Sequence, residues 1–411
     1  MAVQRPNGDD RRRPRLGAWG GYDVENYGDA LFPRILQREL SRRLPVATLR
    51  LYAPLGEERA LTMNAGWPIR SLGRATGERR RDLAAELDLV IVGGGELIHV
   101  HDFVFAVAYG LPPDSLDGRR PSDFFIDGLG PDEERACPVA WHGVGVPFDL
   151  DPALAERVRR ALAGRPYVSV RDERSRARLL AAGVDREIAV VPDSALLLPR
   201  LLPPRQLARR LAELRSLGRY PAAGRPLVVQ GHVGLAPHAH ELAAAIEARR
   251  GDRPVVLVST FPQAGDERLA DALEPLLGTK VFRLPSPAPL EDVAAAIGGG
   301  DAFVGTSLHG AITAFAFGRP LLMVNLDGRS KIDGFAESVG LAGAVAHSVD
   351  ELHARLGPAL ARGHPAGILA AHQARLDAHF DRLASIARRA HERRAATPEA
   401  RGVRLLSPPP G

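Results

Sequence analysis

Short apolar runs alternate with amphipathic stretches along nearly the whole chain, the rhythm of strands and helices in a parallel α/β architecture. In the first half this pattern predicts strands at Leu16–Trp19, Val46–Leu51, Leu87–Val92, Pro138–His142, Tyr167–Val170 and Ile188–Val191. Helical spacing falls between them, over Asp29–Arg43, Pro152–Ala163 and Glu173–Ala182. Residues 100–135, rich in Gly, Pro and Asp, read as an irregular excursion. Pro199, Pro203, Pro204 and Pro221 then gather around a short helix and mark the best interdomain boundary. A second series follows, with strands at Pro226–Gln230, Pro254–Ser259, Val281–Arg283, Ala302–Val304 and Leu321–Asn325. Its helices are predicted over His238–Arg250, Asp266–Leu276, Leu290–Ile297 and His309–Phe317, and residues 349–361 and 367–395 are helical without strands of their own.

The expected fold class is therefore α/β: two Rossmann-like, doubly wound parallel-sheet domains facing a cleft, with C-terminal helices. The N-terminal domain spans 15–198, a linker region 199–224 and the C-terminal domain 225–365. A disordered leader (1–14), a helix packing across both domains (366–396) and a loose tail (397–411) complete the chain. Facing domains of this kind put a cleft at the carboxyl ends of their strands, where open α/β sheets bind ligands.

Composition adds limits. At 411 residues, 45% hydrophobic and 25% charged, the chain matches a soluble two-domain protein. No stretch approaches the ~18–20 apolar residues of a membrane span, and the Arg-rich start lacks a signal-peptide core. Cys137 is the sole cysteine, which rules out an internal disulfide and points to a reducing cytoplasm. The net charge of +5 gathers at Arg11–Arg13, Arg15, Arg388, Arg389, Arg393 and Arg394. No aromatic residues interleave with these arginines, so no nucleic-acid partner is expected. Basic ends suit peripheral attachment to anionic lipid. Only two of the 54 basic residues are lysines, Lys280 and Lys331, which draws attention to any place that wants an ammonium.

Candidate chemistry sits in four motifs at strand exits. In Gly17–Asp29 a strand runs through a Gly-rich loop into a helix, where Asn26, Gly28 and Asp29 could meet a ligand or cap the helix. Gly93, Gly94 and Gly95 end a buried strand at the ligand-facing edge, a costly triple in backbone entropy. His142 repeats that placement on another strand, where a lone histidine is commonly structural. Arg171 and Asp193 stand at two further exits, the first able to grip a carboxylate or phosphate bidentately. Most specific is Gly305–Gly310: Thr306 and Ser307 can cap a helix whose first turn holds His309 and Gly310, a dipole end suited to an anion. Histidine is the natural carrier of a proton near neutral pH. Lys331 lies one element further on the same sheet edge. No His, Cys or carboxylate spacing suggests a metal site.

Taken in order, Asn26-Tyr27-Gly28-Asp29, Gly93–Gly95, Val168–Asp172 through Ser175, Asp193, Leu308-His309-Gly310 and Lys331 resemble the polysaccharide pyruvyl transferase family. The resemblance covers about residues 15 to 340. It implies a GT-B-like fold and transfer of a pyruvyl group from phosphoenolpyruvate, a co-substrate rather than a cofactor, to two sugar hydroxyls as a cyclic ketal. It also implies that Arg171, His309 and Lys331 surround the donor, with His309 moving the proton. A saccharide acceptor, free or lipid-linked, would be met by Asn26, Asp29 and the Gly93–Gly95 edge in cell-envelope or exopolysaccharide synthesis. One position departs from the family pattern: Ser307 precedes Leu308 where members often carry arginine. Two rival readings stand beside this one. A nucleotide-sugar glycosyltransferase would bind its diphosphate at His309 and Arg171, with Glu337 as the candidate ribose carboxylate. A non-catalytic carbohydrate-binding relative would use the same architecture. Oligomeric state is not legible.

Overall fold

The computed structural model describes residues 13–44, 48–56, 61–72, 83, 86–98, 123–126, 137–278 and 280–396. The leader up to residue 12, the tail 397–411 and most of the 100–135 excursion lie outside the described residues.

Each apolar run pairs in parallel with its neighbours. In the N-terminal half, β1 (Arg15–Trp19), β2 (Thr48–Ala53), β3 (Ile69–Ser71), β4 (Leu89–Gly93) and β5 (Val139–His142) form a sheet in the order β3-β2-β1-β4-β5. Two short strands, β6 (Ser169–Val170) and β7 (Ala189–Val190), continue it through bridges from Ala140 to Tyr167 and from Val144 to Val170. The C-terminal half holds β8 (Leu227–Gln230), β9 (Val255–Leu257), β10 (Val281–Arg283), β11 (Ala302–Gly305), β12 (Leu321–Val324) and β13 (Val345–Ala346), ordered β10-β9-β8-β11-β12-β13. Strands β4, β8, β11 and β12 are buried at every residue, which is why they read as unbroken apolar runs. With three and two residues, β3 and β13 are too short to show a period and were not predicted.

Strand order reverses between β1 and β4 in one sheet and between β8 and β11 in the other, so each domain has a switch-point crevice. Helices that bear on these crevices are α1 (Tyr27–Arg43), α2 (Glu173–Ala181), α3 (Asp266–Leu273), α4 (Leu308–Ala316), α5 (Ser330–Ser338) and α6 (Ile368–Ala396). One buried apolar cluster joins the domains, taking in Tyr27, Phe32 and Ile35 of α1, Leu308 and Phe315 of α4, and Leu376 and Phe380 of α6. Burial of each such side chain stabilises by about 1.5–3 kcal/mol. Helix α6 touches both halves: Gln373 donates to the Leu196 carbonyl, and His372 Nε2 lies 3.0 Å from the Ser338 carbonyl. Among the described residues no helix is long and apolar enough to cross a membrane.

Helix α1 begins two residues earlier than its pattern predicts. Asn26 is the N-cap, its side chain accepting from Gly28 N–H at 2.9 Å and Asp29 N–H at 3.4 Å. Asn and Asp cap equally well, so the choice between Asn26 and Asp29 was not legible. Its outcome leaves the Asp29 side chain in the first turn without a capping duty.

Candidate active site

The first turn of α1 crosses the cleft. Tyr27 is buried; its N–H donates to the Thr260 carbonyl of the other domain at 2.8 Å. Its hydroxyl lies 2.9 Å from Thr313 Oγ1, which in turn donates to the His309 carbonyl at 2.7 Å. Gly28 then passes under the His309 imidazole, where a β-carbon would overlap the ring. Phe32, one turn on, meets that ring edge-on with centroids 5.2 Å apart. The motif Asn26–Asp29 thus works residue by residue: a cap, an interdomain anchor, a space for the histidine, and a carboxylate.

His309 enters from α4 and is 14% exposed. Its Nε2 is buried and faces Asp193 Oδ2 at 3.4 Å, and neither atom has a closer partner. Burial pushes the Asp193 carboxyl up, but His309, the Ala195 N–H and Arg171 outweigh it and hold the group below its usual range. A carboxylate there fixes the orientation of the ring.

The sharpest feature is a carboxylate that the sequence reading missed. Glu96, directly after the triple glycine, accepts from Arg171 at 2.5 Å with one oxygen and from Lys331 Nζ at 3.0 Å with the other. Arg171 comes from the exit of β6 and Lys331 from the first turn of α5, so Glu96 ties cations from both domains. Arg171 also reaches Asp172, whose other oxygen caps α2 through the Ser175 N–H at 2.6 Å. Room for the guanidinium comes from Gly145, whose hypothetical β-carbon would stand 3.0 Å from Arg171 Cζ. The only signal for Glu96 was its place at a strand exit; its partners lie 75 and 235 residues away.

The glycines have packing reasons. A β-carbon at Gly93 would strike the His142 carbonyl, and one at Gly94 the Phe32 ring. At Gly95 it would stand 2.7 Å from Asp29 Oδ1, and both Gly94 and Gly95 have φ of +87°, a region that disfavours any side chain. They let α1 approach the edge of β4 and leave Asp29 uncovered.

Thr306, Ser307 and Gly310 organise the entry to α4. Ser307 is the N-cap, accepting from Gly310 N–H at 3.1 Å, and its own N–H donates to Gln230 Oε1 at 2.8 Å. Thr306 accepts from the His232 N–H at 3.3 Å. Gln230 is in turn held by Asp266, which also gathers the N–H groups of Thr260 and Phe261. These two supporting residues carried no signal in the sequence.

Between the halves lies a cavity of about 370 Å³, bounded by Arg171, Asp193 and Lys331 on its polar side and by Leu196, Ile312 and Phe335 on its apolar side. Glu337, the candidate ribose carboxylate, lines it as well and pairs with Arg174 at 3.3 Å. The structure thus brings Gly28, Asp29, Arg171, Asp193, His309 and Lys331 to one place. It gives Asn26, Thr306, Ser307 and Gly310 supporting contacts around them.

Two facing parallel-sheet domains, with charged groups from both meeting in the cleft, define a GT-B-type architecture. Solved structures agree in fold. UDP-N-acetylglucosamine 2-epimerase from Rickettsia bellii superposes with a TM-score of 0.56 at 12% identity, covering 94% of this chain and 100% of that one. The UDP-GlcNAc 2-epimerase of Methanocaldococcus jannaschii gives 0.53 at 12% identity, covering 85% and 93%. That of Neisseria meningitidis gives 0.51 at 13%, covering 89% and 99%. No curated protein matches the sequence. The family model for polysaccharide pyruvyl transferase matches residues 26–328, most of the chain. The protein belongs to that family, and its class of activity is that of a transferase acting on saccharides.

Proposed function

We propose that the protein transfers the pyruvyl group of phosphoenolpyruvate to two hydroxyls of one sugar, releasing phosphate and leaving a cyclic ketal. The observation that best supports this reading is the meeting of Arg171 and Lys331, one from each domain, beside His309. Phosphoenolpyruvate presents two anionic groups and one carbon that must gain a proton. Two fixed cations and one histidine on a carboxylate match that need. The cations neutralise the donor carboxylate and the departing phosphate, and His309 protonates the methylene carbon. Asp193 orients the ring. The cavity leaves room beside the donor for an acceptor sugar. Arg388, Arg389 and Arg393 are exposed on the last turns of α6, and a lipid-linked acceptor at an anionic, cytoplasmic membrane face would suit them.

Phosphate release from phosphoenolpyruvate, measured with a panel of methyl hexopyranosides bearing a free 4,6-diol, tests the reading directly. The expected product shows a new ketal methyl resonance by NMR. Saturable calorimetric binding of a nucleotide sugar, with none of phosphoenolpyruvate, would overturn it.

A further inference from the structure

Among the described residues four carboxylates stand at the cluster, and three are occupied. Glu96 holds Arg171 and Lys331, Asp172 caps α2 and meets Arg171, and Asp193 faces His309 while accepting from the Ala195 N–H at 2.9 Å. Among the described residues, the Asp29 carboxylate alone accepts no hydrogen bond and forms no ion pair, its backbone N–H going to Asn26. It projects from the first turn of α1, with Oδ1 2.7 Å from where a β-carbon on Gly95 would stand and Oδ2 4.0 Å from one on Gly21. Two backbone stretches without side chains therefore keep it bare.

The groups that face Asp29 come from every element around it. They are His309 of α4, Lys331 of α5, Arg171 after β6, Glu96 after β4 and Tyr22 in the loop after β1. Burial drives its carboxyl up to about 7, against the pull of His309, Lys331 and Arg171 and with a push from Glu96. A carboxylate bound by its neighbours positions them; one with no partner is free to exchange a proton with a ligand.

We infer that Asp29 is the base that takes the proton from the attacking sugar hydroxyl, paired with His309 as the acid, an assignment that rests on the pyruvyl-transfer reading. The steps balance. Asp29 accepts the proton of the first hydroxyl as its oxygen bonds to C2 of phosphoenolpyruvate. The C2–C3 π pair takes a proton from the His309 imidazolium, turning the methylene into a methyl group. The C2–O bond to phosphate then breaks with its electron pair on the phosphate, beside Arg171 and Lys331. The second hydroxyl bonds to C2 and yields its proton to the now neutral His309, and Asp29 passes its own proton to the phosphate. Both residues end as they began. Of the two hydroxyl protons, one is accounted for in the methyl group and one in hydrogen phosphate.

The test compares wild type, Asp29→Asn and Asp29→Glu. Asp29→Asn is expected to bind phosphoenolpyruvate at least as well as wild type by calorimetry, because a negative charge near an anion site is removed. Its phosphate release with the methyl hexopyranoside panel should fall by about 10²–10⁴-fold, the usual worth of a general acid or base. Asp29→Glu should recover part of that loss. In wild type, kcat/KM should rise with pH through about 7 as the base ionises, and this limb should vanish from the residual activity of Asp29→Asn. Turnover of Asp29→Asn close to wild type, persistence of the acid limb, or loss of donor binding in that variant would each overturn the assignment of Asp29 alone. Failure of wild type itself to bind phosphoenolpyruvate would overturn the pyruvyl-transfer reading, and this step with it.

Discussion

His142 and His309 both stand at the carboxyl edge of a parallel sheet, one ending β5 and the other in the first turn after β11, yet their surroundings make them opposites. His142 is buried, with Nδ1 2.6 Å from His379 Nε2 of α6 and the two rings stacked at 4.9 Å. His379 Nδ1 lies 2.9 Å from the Tyr167 hydroxyl, which completes a neutral chain. Burial pushes His142 down to about 4 and His379 well below its ordinary value, so neither carries charge near neutrality. His309 instead has a carboxylate at one nitrogen, a glycine beneath its ring and a side chain that is not fully buried. A histidine at a strand end is therefore no signal by itself. What separates tether from acid is whether the fold supplies a counter-charge and a path to a ligand.

The largest test of this contrast is His309→Ala. Phosphate release from phosphoenolpyruvate should fall by about 10²–10⁴-fold while the thermal midpoint stays near that of wild type. Equal losses from substitution at His142 would erase the distinction. Gly28→Ala should come next, at about 10²-fold in kcat, since the added carbon displaces the His309 ring and alters no charge. An active Gly28→Ala enzyme would show that the ring need not sit where it does. Lys331→Met should act on binding, weakening the affinity for phosphoenolpyruvate by about 10–100-fold through loss of one charge-assisted contact, measured by calorimetry.

Much of the fold was legible because buried parallel strands leave unbroken apolar runs, as Leu89–Gly93 and Ala302–Gly305 do. The helix after β11 and its histidine were legible for the same reason, since Ser307 caps in sequence order. Other roles depend on contacts that no local pattern encodes. Glu96 looks like the end of a turn until Arg171 and Lys331 arrive from far along the chain. The triple glycine reads as a ligand edge, whereas its side-chain space is taken by Phe32, Asp29 and the His142 carbonyl. Asp29 reads equally as a cap or a ligand group, and only the cap at Asn26 separates the two. His379 is simply one residue on the apolar face of a long helix until Tyr167 and His142 close around it.

The smallest effect on catalysis, and the clearest on stability, should come from that buried chain. His379→Phe keeps a ring between His142 and Phe380 but leaves the Tyr167 hydroxyl and His142 Nδ1 without their partner. Tyr167 is only part-buried and also meets Ser169, so the cost falls on buried His142 Nδ1. An unsatisfied buried group costs about 1–3 kcal/mol, and the denaturant midpoint should drop while kcat is retained. The pH dependence carries the sign. In the unfolded chain these histidines take up protons near pH 6.5, whereas folded His142 resists until about 4. Their contribution is therefore complete above the unfolded value and is lost as pH falls toward 4, because the unfolded state binds more protons over that interval. Wild type should lose denaturant stability across this range, and His379→Phe should lose less of it. A variant whose stability falls with acid as steeply as wild type would mean that carboxylates, and not this pair, set the acid limit of the fold.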